Sequence, residues 1–234
     1  VRPAGRTVKE RLIAIMATDP YPAIRLAAVR ASAARFPADP GVLAATESAM
    51  NDRSLPVMLE AVRILGEKGT AFLLDLLVNR KGLRHLEVIE IVEAVAVGPK
   101  VPGAAGVLEK VFMKIRRPAV RKAILSAFTT LGDTSAGPFL AGQLDRFDSD
   151  ILAGIIEALG TCGTVDAVGK LHAALNDTIN PFARAEIEKS IASIQSRQGA
   201  DRGWLSVSES APLEGALSPG GIEKGALSLD NRKK

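Results

Sequence analysis

The sequence predicts an all-α solenoid, a right-handed superhelix of about six stacked helix pairs, followed by a tail outside the packing. Three observations predict it. Apolar residues recur at helical spacing in runs of about 11 to 17 residues, separated by short polar or Gly/Pro joints. Leu65-Gly66, Val97-Gly98, Leu131-Gly132 and Leu159-Gly160 close successive runs at intervals of roughly thirty residues. The apolar mass is Ala, Leu, Ile and Val with only 4% aromatics, which suits close helix packing better than a β-sandwich.

The joints place the elements in order. The first pair spans 7–18 and 22–36, with Asp19-Pro20 between. The second spans 40–51 and 55–67, joined through Asn51-Asp52-Arg53, and the third 70–79 and 83–97, joined through Asn79 to Gly82. The fourth spans 103–115 and 118–131, with Arg116-Arg117 at the joint and Pro118 in the first turn. The fifth and sixth span 135–145 with 149–160, and 164–176 with 181–196. Each closing glycine reads as a helix stop that tolerates a left-handed backbone. Thr134 or Ser135, and Thr164, read as caps for the helices that follow.

Ala23-Ile24-Arg25, Ala28-Val29-Arg30, Ala61-Val62-Arg63 and Ala119-Val120-Arg121 repeat a valine-arginine element in the second helices, and Leu131-Gly132-Asp133 repeats a closure. With a unit of about 31 residues, this resembles the armadillo/HEAT class of repeats, most closely the short phycobilisome-lyase-type HEAT-like repeat. The resemblance covers roughly residues 7–196, so residues 1–198 form the predicted repeat domain. The third and fifth pairs depart from it, because neither second helix carries the valine-arginine element. It implies a fold whose second helices line a concave face. The family also includes proteins that attach chromophores with a partner subunit; its DNA-repair glycosylases look different from this chain, because their sites need aromatic and acidic residues in the groove and the single Trp here, Trp204, lies outside the repeats.

The residues that carry chemistry are sparse. His85 and His172 lie far apart, and neither neighbours an acid; the His-Glu dipeptides of di-iron HEAT enzymes are missing. Cys162 sits in a predicted interhelix turn without a basic neighbour to activate it. No Gly-rich run is followed by Gly-Lys-Ser/Thr. The sequence therefore predicts a protein that is not an enzyme and needs no metal or cofactor. One cysteine excludes an internal disulfide and fits a reducing, cytoplasmic setting. No apolar run reaches the roughly 18 residues of a membrane span. The chain starts at Val1 and reads as a fragment or a processed product.

Charge carries more information. Arg25, Arg30, Arg63, Arg121 and Arg184 fall on second helices. They form either a structural ladder with acids such as Asp19, Asp52 or Asp177, or a basic groove for an acidic peptide or phosphate backbone. Lys110, Lys114, Arg116, Arg117, Arg121 and Lys122 cluster across one joint without an acid. Residues 1–36 are also basic, whereas 145–166 are acidic, so a banded surface is expected. The scarcity of aromatics in the helical region weakens single-strand nucleic-acid binding.

Residues 199–234 are rich in Gly, Ser and Pro and read as a disordered tail. They contain Gly-x-Leu-Ser three times, with Trp204, Leu205, Leu217 and Leu227 as candidate docking residues. The leading functional expectation is a non-catalytic scaffold that binds a protein through the concave surface, at Arg25, Arg30, Arg63, Lys114, Arg116, Arg117, Arg121 and Lys122. The alternatives are an accessory subunit of a lyase or other enzyme, and nucleic-acid binding through the Lys110–Lys122 band.

Overall fold

The structure is a computed structural model and describes residues 7–146 and 149–202. Among these, twelve α-helices and no strands occur. They pair as α1 (Val8–Thr18) with α2 (Pro22–Arg35), α3 (Pro40–Ala49) with α4 (Leu55–Leu65), and α5 (Glu67–Asn79) with α6 (His85–Val97). Then come α7 (Ala104–Lys114) with α8 (Pro118–Leu131), α9 (Gly137–Ala141) with α10 (Ser149–Cys162), and α11 (Val165–Asp177) with α12 (Pro181–Arg202). A 3₁₀ turn, Thr134–Ala136, precedes α9. The tail residues Trp204, Leu205, Leu217 and Leu227 lie outside the described residues.

Two helix layers result. The second helices pack in sequence, α2 on α4, α4 on α6, α6 on α8, α8 on α10 and α10 on α12. On the other side α1 packs on α3, α5 on α7 and α9 on α11. This is a solenoid built from successive pairs, as the periodicity predicts. The second helices run in the same direction and in register. Arg25 near the start of α2 reaches Asp52 just before α4. Gly66 at the end of α4 lies beside Pro99 just after α6.

The register explains the core. Counted from its first residue, the seventh residue of every second helix is buried: Ala28, Ala61, Ile91, Ile124, Ile155 and Ile187. The eighth is also buried from α2 through α10, as Val29, Val62, Val92, Leu125 and Ile156. Each buried valine, leucine or isoleucine contributes about 1.5–3 kcal/mol relative to exposure. The fifth pair has a first helix of only five residues, but Phe139 within it fills the gap. Its ring meets Phe112 edge-on at 5.7 Å and Phe128 at 6.2 Å, tying α7, α8 and α9 together.

Several joints differ from the sequence reading. Residues 68–69, expected as the linker between helices 55–67 and 70–79, lie in the first turn of α5, which starts directly after Gly66 (φ 59°). Gly69 permits that abrupt entry, because a Cβ there would collide with the Val62 backbone. Gly66 and Gly132 (φ 60°) are positive-φ stops as expected, but Gly98 and Gly160 are not. Gly98 has φ −75° and is glycine for space, since a Cβ would sit 2.7 Å from Thr70 Oγ1. Gly160 lies inside α10 against Ser190, so that helix continues to Cys162. Cys162 is accordingly a buried helix residue and not part of an exposed turn. Asp133, and neither Thr134 nor Ser135, caps the next turn by accepting from the Ser135 N–H at 2.9 Å. Thr164 precedes α11 without a side-chain capping bond.

Arginines lock the joints. Arg25, Arg121 and Arg184 are each the fourth residue of a second helix that begins with proline, at Pro22, Pro118 and Pro181. Proline sets the first turn, and the arginine then folds back over the joint. Arg25 donates to both carboxylate oxygens of Asp52 at 2.7 Å and to the Asp19 carbonyl at 2.8 Å. Arg121 donates to the Ile115 carbonyl at 3.1 Å and lies over the Phe112 ring. Arg184 donates to the Leu175 and Thr178 carbonyls at 2.8 and 3.2 Å. These are the carbonyls that a helix C-terminus leaves without intrahelical partners.

Two consequences are measurable. Asp52→Ala leaves the buried Arg25 guanidinium without its carboxylate and should cost about 2–4 kcal/mol in urea unfolding. The Arg25 hydrogen bonds, helped by the Ser54 N–H and opposed by burial, hold the Asp52 carboxyl below the usual carboxylate range. Its contribution is therefore present above the unfolded value of about 3.9 and is lost as pH falls through the lower folded value. Asp52→Asn should flatten the acid side of the stability profile below about pH 4. Separately, Gly98→Ala should cost about 1–3 kcal/mol by overpacking, with part of the loss recovered in the Gly98→Ala/Thr70→Ala double variant.

Candidate functional site

The buried seventh and eighth residues leave the ninth pointing away from the core. It is exposed in all six second helices: Arg30, Arg63, Glu93, Ser126, Glu157 and Lys189. Beside this column the exposed side chains vary: Ala23, Ala27, Ala31 and Ala34 on α2, Ala119 on α8, and Ala153 and Ala185 further along are short, whereas Leu86 and Val97 on α6 and Phe182 on α12 are large and apolar. The stacked helices therefore present a charged or polar ninth side chain once per repeat on a face that is short-lined at α2 and more apolar at α6 and α12. The charges run basic, basic, acidic, neutral, acidic, basic along the array.

The best-formed part of this face lies between α2 and α4. Arg30, Ala33, Ala34, Glu60, Arg63 and Ile64 line an open depression of about 630 Å³. Glu60 forms its floor, with a side chain only 8% exposed. Its carboxylate accepts from Arg63 Nη2 at 2.6 Å and from Arg30 Nη2 at 3.3 Å. The Arg63 bond and then the Arg30 bond hold the Glu60 carboxyl below the usual carboxylate range, against burial, which works the other way. One carboxylate thus orients two guanidiniums. Both arginines keep most of their side-chain surface open, 61% for Arg30 and 70% for Arg63. The cluster has one uncompensated positive charge and donors arranged in a fork, suited to a carboxylate or phosphoryl oxygen.

The four valine-arginine elements therefore occupy two registers. In Ala28-Val29-Arg30 and Ala61-Val62-Arg63 the arginine is the ninth residue and faces outward. In Ala23-Ile24-Arg25 and Ala119-Val120-Arg121 it is the fourth residue and is committed to a joint. The row of arginines divides into joint locks and a two-member outward pair. Lys114, Arg116 and Arg117 are exposed at the α7–α8 joint, on the edge of the array rather than on this face. Lys122, the fifth residue of α8, is exposed near the face. Sequence reasoning did not single out Glu60, Glu93 or Lys189. Aligning the helix starts on the buried seventh residue would have found the outward column two positions later.

Cys162 donates to the Phe128 carbonyl at 3.1 Å, and burial pushes its thiol up from the ordinary value. It is a packed core residue that ties α10 to α8. His85 and His172 are exposed on α6 and α11. Among the described residues no group of three or more His, Cys, Asp or Glu is arranged to hold a metal ion. No described helix is long and apolar enough to cross a membrane.

No protein-family model matches the chain, and no curated protein does. Among solved structures, it is similar to a designed armadillo repeat protein at 13% identity and a TM-score of 0.47, over 79% of this chain and 98% of that one. It is also similar to another engineered protein at 18% identity and a TM-score of 0.48, over 82% of this chain and 98% of that one. The solenoid assignment rests on the chain's own stacking of helix pairs.

Proposed function

We propose that this chain is a non-catalytic scaffold that holds an extended segment of a protein partner along the exposed face of its second helices. The carrying observation is the ninth-residue column, Arg30, Arg63, Glu93, Ser126, Glu157 and Lys189, which offers one outward charged or polar side chain per repeat. An extended chain advances about 3.3 Å per residue, and packed helices lie about 8–10 Å apart. Roughly every third residue of a bound segment thus meets the next repeat. The mixed charge supplies register and selects against wrong partners more than it adds raw affinity.

Arg30, Glu60 and Arg63 form the strongest anchor, and an acidic side chain of the partner fits there. Glu93 and Glu157 favour basic partner residues further along, which gives the bound segment a direction. Capture of partners from a lysate by the full chain provides the test. Triple reversal of Arg63→Glu, Glu93→Lys and Glu157→Lys should reduce the captured set by about tenfold or more. Arg11→Glu with Lys170→Glu, on exposed positions of first helices, should leave it unchanged. Equal capture by both variants would overturn the reading.

A further inference from the structure

The two ends of the array are finished differently. A second helix packs on its predecessor through recurring positions. The sixth residue of α4, Glu60, meets Arg30 of α2, and the sixth of α10, Gly154, faces Leu125 of α8. The tenth of α12, Ser190, donates to the Ile156 carbonyl of α10. The third, sixth and tenth residues share one stripe of a helix. The tenth is buried or half-buried in α4 through α12, as Ile64, Ala94, Ala127, Ala158 and Ser190. Among the described residues α2 has no second helix before it, and its third, sixth and tenth residues, Ile24, Ala27 and Ala31, are all exposed, Ile24 at 45%. The far end is closed. The eighth position, buried against the next repeat from α2 through α10, holds an exposed Glu188 in α12. A polar outer face is what a terminal repeat requires in water, and the α2 end keeps apolar packing residues instead.

A stripe that receives a helix in every later repeat calls for a helix at α2 as well. The α12 helix of another copy is a poor occupant, because head-to-tail stacking would bury Glu188 against Ala27. A second α2 fits. We propose that two copies of this chain pair end to end through α2, antiparallel about a twofold axis level with Ala27 and Ala28. Ile24 of each copy then lies against Ala31 of the other, large against small, and Ala27 meets its own counterpart. The same register brings Arg35, exposed at the end of one α2, to Asp19, which lies just before the start of the other. Opposite charges therefore meet at both rims of the contact. The 14 residues of α2 and two helix widths give a face of only about 20 Å by 20 Å. That is small for a stable interface, so the dimer is weak, with a Kd on the order of 10 μM. The pairing uses the end of the array and leaves both second-helix faces open on the same side, so it stands or falls independently of the scaffold reading.

Sedimentation velocity of the full chain across the micromolar range tests the pairing. The expected result is a shift from monomer to dimer with no larger species. Ala27→Glu with Ala31→Glu should abolish the shift, and Arg35→Glu should weaken association severalfold. These positions are exposed, and thermal melts followed by circular dichroism check that the variants fold. Ala27→Cys should be trapped as a disulfide-linked dimer on mild oxidation, because Cys162 is buried and the two new thiols meet at the axis. Ala192→Cys, exposed on α12, should not be trapped. A chain that stays monomeric throughout would overturn the proposal, as would a dimer that survives the double Glu substitution. Growth beyond the dimer, or trapping through Ala192→Cys in place of Ala27→Cys, would overturn it in favour of contacts at the α12 end.

Discussion

The structure depends on one constraint: no helix pair in this chain covers its own apolar stripe. A second helix such as α8 buries Ile124, Leu125 and Phe128 only because α6 and α10 flank it and a first helix lies behind. Stability is therefore a sum over neighbours rather than a property of any repeat. That requirement fixes the seventh residue as apolar in all six second helices and keeps consecutive helices in register. The short α9 shows how strict it is. Where a first helix has only five residues, Phe139 is wedged between Phe112 and Phe128 to restore contact.

Polar groups then determine how the repeats turn. Arg25, Arg121 and Arg184 occupy the same helical position and satisfy carbonyls at the end of the preceding helix. Arg25 also reaches into the next repeat through Asp52, so one side chain sets both a joint and an interrepeat contact. Ser190 and Ser193 act in a comparable way at the other end by donating to the Ile156 and Gly160 carbonyls of α10. Such bonds add modest net stability, but leaving their buried partners unmade would be expensive.

Much of this was legible in the sequence. The helix pairs, their order and most boundaries follow from apolar periodicity and from Pro22, Pro118 and Pro181. Three kinds of feature were not. Glycine selected by space looks identical in sequence to glycine selected by backbone conformation, which is why Gly98 and Gly160 resemble stops. A cap depends on where a carboxylate reaches, and Asp133 competes successfully with its hydroxyl neighbours. The arginines are recognisable as a group but not as two groups. A three-residue motif carries no information about its distance from the helix start, and that distance decides whether Arg30 faces outward or Arg25 turns inward.

The ninth-residue column has a consequence for how such a protein changes over time. Core packing constrains the seventh and eighth positions jointly across neighbours, whereas the ninth makes no demand on them. Arginine, glutamate, serine and lysine all occupy it without disturbing the helices beneath. Each repeat is thus a separately rewritable site on an invariant frame. Selection can alter what this surface presents one residue at a time, and a duplicated repeat arrives with its own ninth side chain already aimed outward.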